Sequence, residues 1–277
     1  MSLVRVSTTP DLVAPVLVAA FDGWIDAAGA SSAAVRHLAE DGEIVASFDD
    51  DVLFDYRSRR PVLDVIDGTL TRLMWPEMSL KRTRHGGRDL LVLSGPEPDF
   101  HWRELGEQIM ELAVRLGVTE WVSLGAIPAA VAHTRPVPVL ATASSPGLLR
   151  PDEQQGPQGL LRVPSAALSV IELAVSGAGV PAIGFYAQVP NYVGGPYASA
   201  TIALLEHLGR HIGVDLPLEH LPDDAVDQRG NLDSLVAAQP EAREYLERLE
   251  QMPDEEVPSG DEIASEIERF LREQGSE

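Results

Sequence analysis

Three short segments gather residues whose types and spacing could do chemistry. The first is Phe21-Asp22-Gly23-Trp24-Ile25-Asp26-Ala27-Ala28-Gly29. Gly23 permits close backbone approach, and the N-terminus of the helix expected next offers unpaired N–H groups to an anion or a carboxylate. The plainer alternative is that Asp26 caps that helix and Trp24 packs. The second is Gly125-Ala126-Ile127-Pro128, followed by His133-Thr134-Arg135-Pro136. Small residues at Gly125 leave room for a ligand, while His133 and Arg135 could bind an anion or shuttle a proton. A histidine simply hydrogen-bonded within its loop is the competing reading. The third is Gln188-Val189-Pro190-Asn191-Tyr192-Val193-Gly194-Gly195-Pro196. Its glycines and prolines fix a turn, and Asn191 and Tyr192 present polar groups. The candidate ligand-binding residues are therefore Asp22, Gly23, Trp24, Asp26, Gly125, His133, Arg135, Asn191 and Tyr192.

No familiar catalytic constellation accompanies them. The first loop is not G-x-G-x-x-G, there is no G-x-S-x-G around a serine, and the seven histidines form no H-E-x-x-H or comparable pair. Phosphorylase-like chemistry needs an anion clamp and an acid for the leaving group. Arg84, Arg88 and Arg135 and the acids Asp22 and Asp26 supply the types, but no spacing dictates their convergence. Lys81 is the only lysine and lies in KRTRHGGR, without the flanks of a phosphate loop. No catalytic residue, metal site or cofactor is assigned.

The elements that must position these loops alternate. PVLVAA (15–20), EIVASF (43–48), TLTRLMW (69–75), DLLVLSG (89–95), WVSL (121–124), VPVLATA (137–143) and PAIGFYAQ (181–188) read as strands. Helical patterns cover about 26–39, 164–176 and 197–212. Another places Trp102, Leu105, Ile109, Leu112 and Leu116 at helical spacing, with Asp99 as expected N-cap and Gly117 as terminator. Strands separated by helices indicate parallel crossovers. The expected fold is α/β, a mostly parallel twisted sheet with helices on both faces, and ligands in such sheets sit just outside strand ends.

Composition narrows the function classes. The 277 residues suffice for a core without disulfides or a structural metal. With 21 Lys+Arg against 43 Asp+Glu the net charge is −22, which argues against nucleic acid or an anionic membrane surface as partner. The absence of cysteine removes thiolate sites and disulfides and fits a reducing cytoplasm. No apolar run is long enough for a transmembrane helix, and MSLVRVSTTP lacks the apolar region of a signal peptide. Charge divides the chain: residues 215–277 hold 19 acidic and 5 basic side chains. Residues 1–214 are expected as the α/β core domain and 215–277 as an acidic helical region. Helices are expected at about Asp233–Gln251 and Asp261–Arg272, with Leu232, Leu235, Val236, Tyr245, Leu246 and Leu249 forming one apolar stripe.

FDGWIDAAGASSAAVRHL, LGAIPAAVAHTRP and YAQVPNYVGGPYASATIALLEHL, in that order, resemble the proteasome assembly chaperone 2 family in its bacterial, especially actinobacterial, form. The resemblance covers most of residues 10–215. It implies a fold similar to purine nucleoside phosphorylases and related hydrolases, assembled as a small homo-oligomer such as a trimer. Eukaryotic relatives help assemble the α-ring of the 20S proteasome. Their docking tail, hydrophobic–Tyr–any residue, is not matched by Glu273-Gln274-Gly275-Ser276-Glu277, so docking by tail insertion is not expected. The reading favoured is a non-catalytic, assembly-chaperone-like interaction protein. The alternative is a small-molecule-binding protein or a hydrolase- or nucleoside-phosphorylase-like enzyme using the loops at 22–29, 125–135 and 188–195.

Overall fold

A computed structural model of the chain describes residues 2–156 and 159–252. Backbone contacts divide it into two compact units.

The first unit comprises Met1–Trp24, Val35–Ser123 and Ser165–Ala182. Its strands are β1 (Val4–Val6), β2 (Val16–Asp22), β3 (Glu43–Phe48), β4 (Val62–Ile66), β5 (Thr69–Met74), β6 (Ser79–His85), β7 (Arg88–Pro96) and the start of β8 (Glu120–Ala129). All but β4 and β5 pair in the order β1-β3-β6-β7-β2-β8. β2 runs parallel to β7 and β8, with Leu17 opposite Leu91 and Trp121. Its residues Val16–Phe21 are all buried, which explains why it reads as an unbroken apolar run rather than an alternating one. β1–β3, β3–β6 and β6–β7 are antiparallel. β6 and β7 form a hairpin whose turn, Gly86-Gly87, has positive φ at both residues, the geometry that matches strand twist. Lys81 lies on β6, where its Nζ donates to the Ala39 carbonyl at 3.3 Å. Helices α2 (Asp50–Leu53), α3 (Trp102–Arg115) and α4 (Ala167–Gly177) complete the unit, with α3 packed on α4 and α4 on β2.

The second unit comprises Ile25–Ala34, Leu124–Pro164 and Ile183–Glu277. The rest of β8 precedes β9 (Val139–Ala143), β10 (Gln154–Gln155) and β11 (Ala182–Pro190), in the order β8-β11-β9-β10. β9 is antiparallel to β11 and parallel to β10. Helix α5 (Ala198–Ile212) packs on β9 and on α6 (Leu221–Ala238), and α6 packs on α7 (Pro240–Gln251). Helix α1 (Ala30–Leu38) starts in this unit.

The α/β class is as expected, with parallel pairing concentrated at β2 and antiparallel hairpins beside it. Several local expectations change. The helix expected from Asp26 begins only at Ala30, because Asp26 to Gly29 make a 3-10 turn with Ala28 at φ 54° and Gly29 at φ 64°. Asp99 does not cap α3. His101 occupies that position in left-handed conformation, and Asp99 instead accepts from the Asp55 N–H at 2.9 Å. Gly117, at φ 66°, follows α3 as expected. The helix expected over Asp233–Gln251 is two helices. Gln239 is extended because the residue before Pro240 is driven out of helical geometry, and Pro240 then opens α7. The second expected helix, Asp261–Arg272, lies outside the described residues.

Candidate functional site

Asp22 ends β2 in the first unit, Gly23 and Trp24 follow it, and all three meet one residue, the buried Glu97. Glu97 follows β7, the parallel neighbour of β2, and its N–H donates to the Asp22 carbonyl at 2.9 Å. Its Oε2 accepts from the Trp24 N–H at 3.2 Å, and its Oε1 from the Ala167 N–H, in the first turn of α4, at 2.8 Å. A Cβ at position 23 would stand 2.7 Å from both Cβ and Oε2 of Glu97. Glycine is required there by this close approach. Glu97 was not among the residues singled out from sequence, although it follows a strand end as they do.

In the second unit, Asp26 pairs with Ala126 as an isolated parallel bridge, and the Ala126 N–H donates to the Ile25 carbonyl at 2.7 Å. Gly125 sits beside this bridge, its α-carbon pressed by Tyr186, whose ring a Cβ would meet at 2.5 Å. The Asp26 carboxylate is buried. Its Oδ1 accepts from the N–H and Oγ–H of Ser31 at 2.8 and 2.7 Å and from the Ser32 N–H at 3.0 Å, tying the loop to the first turn of α1. Oδ2 is buried without a hydrogen-bond partner among the described residues.

The remaining candidates form a second group, at the attachment of α6 and α7. The His133 side chain is fully buried. Its backbone N–H donates to the Tyr192 hydroxyl at 2.9 Å, and its Nδ1 lies 2.8 Å from the same oxygen. Nε2 lies 3.1 Å from Asp233 Oδ1 on α6. The network assigns the tautomer: Nε2–H donates to Asp233, and the Tyr192 O–H donates to Nδ1. Burial pushes the Tyr192 phenol up to about 12, so it stays protonated at neutral pH. Next door, Arg135 gives Nη1–H to the Met252 carbonyl at 2.8 Å and a second hydrogen bond to the Glu250 carbonyl. Thr134 Oγ donates to Glu250 Oε1 at 2.6 Å. Asn191 exchanges hydrogen bonds with the Tyr245 hydroxyl at 3.0 and 3.3 Å. Beside Tyr192, a cavity of about 230 Å³ is lined by Leu232, Leu235 and Val236 of α6 and Ala242, Tyr245 and Leu246 of α7. All the residues expected as one stripe except Leu249 thus line this cavity, from two helices. Asp233 and Tyr245, which complete this group, were missed as polar partners because only the apolar residues around them signalled packing.

The residues and motifs of these loops coincide with a family model: the PAC2 family model matches residues 20–236. The chain belongs to the PAC2 family. Solved structures similar to it include a Mycobacterium tuberculosis protein of unknown function, 33% identical, covering 97% of this chain and 96% of that one at a TM-score of 0.89. A PAC2 family protein from Streptomyces avermitilis is 37% identical, covering 84% and 99% at a TM-score of 0.75. A proteasome-assembly chaperone homologue from M. tuberculosis is 36% identical, covering 83% and 99% at 0.76. No curated protein matches the chain. Among the described residues of this PAC2 member, no helix is long and apolar enough to cross a membrane.

Proposed function

We propose that this PAC2 protein is a non-catalytic, assembly-chaperone-like interaction protein that works in the cytoplasm as a small homo-oligomer, a trimer on the family resemblance. The observation that carries the reading is how the polar loop residues are used. His133 is engaged at both ring nitrogens, Arg135 holds two backbone carbonyls, and Asn191 is bonded to Tyr245. Groups that could have clamped an anion or moved a proton instead hold α6 and α7. In this reading residues 1–214 form the oligomer and the acidic region 215–277 keeps it soluble or meets a basic protein. Neither nucleic acid nor membrane is a partner for a chain at −22.

The test is direct. Purified full-length protein is mixed with actinobacterial proteasome α-subunits, and complexes are read by native mass spectrometry. A stoichiometric complex and faster ring formation are expected. The α-subunits assembling at the same rate, with no co-migrating species, would end the chaperone reading.

A second reading has one observation in its favour, the unpartnered Asp26 Oδ2. A small molecule donating an N–H or O–H there would satisfy a buried acceptor, as the alternative of a ligand-binding or phosphorylase-like protein requires. Inosine and phosphate raising the melting temperature of the wild type, but not of Asp26→Asn, would support it.

A further inference from the structure

Helix α5 carries two histidines in its last two turns, His207 and His211, four residues apart in HLGRH. Without the glutamate of H-E-x-x-H this run gives no metal signal in sequence. In the second unit the two rings nevertheless share a face. Both stand against Phe185 of β11, with ring centroids 5.7 and 5.8 Å from it. Histidines one helical turn apart on a single face are spaced to grip one ion.

A carboxylate meets them from the segment that leads into β10. Glu153 Oε1 lies 3.5 Å from His211 Nδ1, and the Glu153 and His211 side chains are only 5% and 9% exposed. That separation is long for an N–H···O hydrogen bond. It suits two donors on one tetrahedral ion, which at bond lengths of about 2.1 Å stand ~3.4 Å apart. The other carboxylate oxygen, Oε2, accepts the Arg150 N–H at 2.7 Å, and this fixes the direction of Oε1. The neighbouring arginines are already matched. Arg150 Nε donates to Asp152 at 3.1 Å and Nη1 to the Arg210 carbonyl at 3.0 Å, while Arg210 lies 4.0 Å from Glu206. Burial, with Arg210 nearby, lowers the His207 pKa to about 4, so its ring offers a lone pair at neutral pH. The chain has no cysteine, which leaves imidazole as its strongest donor for a borderline-soft ion.

We propose that His207, His211 and Glu153 bind a divalent transition ion of the zinc class, which clamps the segment leading into β10 to the end of α5. His211 and Glu153 are already placed, and His207 completes the set by a side-chain rotation. Two imidazoles and one carboxylate leave the fourth tetrahedral position to water. The site uses none of the loop residues discussed above and stands whether or not the chaperone reading holds.

The experiment takes the untagged full chain, stripped of metal with a chelator, and titrates it with Zn(II) by calorimetry and with Co(II) by visible absorption. One ion per chain and the intense bands of tetrahedral Co(II) are expected. His211→Ala and Glu153→Gln should each bind at least about 100-fold more weakly, beyond the loss from an outer-sphere change. His220→Ala removes an exposed histidine outside the cluster and should bind as the wild type does. Zn(II) should raise the melting temperature of the wild type but not of His211→Ala. If His211→Ala loses its circular-dichroism spectrum, His207→Ala, at a half-buried position, carries the test with the same expected loss. A wild type that takes up no ion, an affinity unchanged by the three cluster substitutions, or binding lost in His220→Ala would each overturn the site.

Discussion

Replacing Asp50 by asparagine should stabilise the protein at neutral pH and do nothing in acid. Asp50 lies in the first turn of α2, its carboxylate accepting the Met78 N–H. Burial, with Glu77, Asp49 and Asp51 nearby, pushes its pKa from 3.8 to about 6. A carboxyl whose folded pKa lies above its unfolded value binds a proton more readily in the native state. Its contribution is fully present below about pH 3.8 and is lost as pH rises through about 6. At pH 7 the folded protein therefore carries a half-buried charge it would be more stable without. The shift corresponds to about 3 kcal/mol between protonation states, and screening at a partly exposed group reduces this to about 1–2 kcal/mol. Asparagine keeps an acceptor for Met78 and removes the charge. Urea midpoints of wild type and Asp50→Asn, measured from pH 3.5 to 8, should coincide in acid and separate between pH 4 and 6, the variant higher above that. A difference that is constant across the range would refute the argument, since it would then come from packing and not from ionisation.

Three further outcomes follow from the geometry. Tyr192→Phe leaves the buried His133 N–H without an acceptor and should destabilise by about 1–3 kcal/mol, with hydrogen exchange rising first in α6 and α7. Gly23→Ala should destabilise by about 1–3 kcal/mol through the forced contact with Glu97; in a double-mutant cycle with Glu97→Ala, part of that loss should be recovered, and simple additivity would count against the contact. Arg135→Ala releases the carbonyls of Glu250 and Met252, and should speed proteolytic cleavage near residue 252 several-fold without changing the far-ultraviolet spectrum.

Where hydrophobic pattern decides structure, the sequence was legible. β2, β3, β7 and β11 fall where their apolar runs lie, α3 where helical spacing and Gly117 place it, and α5 over the span expected for it. β6 was missed because KRTRH carries no apolar alternation; it is a strand because β7 pairs along its whole length. β4 was missed although Asp67-Gly68 is a strong hairpin signal, since its faces are not buried and so lack the usual contrast between apolar and polar positions. The loop residues were recognisable as unusual, but their partners were not. Glu97, Asp233, Tyr245 and Glu250 lie 54 to 116 positions away from the loop groups they bind. Hydrogen bonds across such distances leave no periodic trace, and His133 bonded to Asp233 looks in sequence the same as His133 awaiting a proton.

The order in which this chain leaves the ribosome gives the α6–α7 attachment a temporal meaning. His133, Thr134, Arg135 and Asn191 are synthesised well before Asp233, Tyr245 and Glu250, which receive or return their hydrogen bonds. Contacts so distant along the chain form late, and N-terminal parts fold first during synthesis. Until α6 and α7 emerge, the histidine and arginine loop therefore lacks the partners that those helices supply. A truncated translation product stopping short of residue 233 would lack Asp233 and Tyr245 and so leave the partners of His133 and Asn191 unmade.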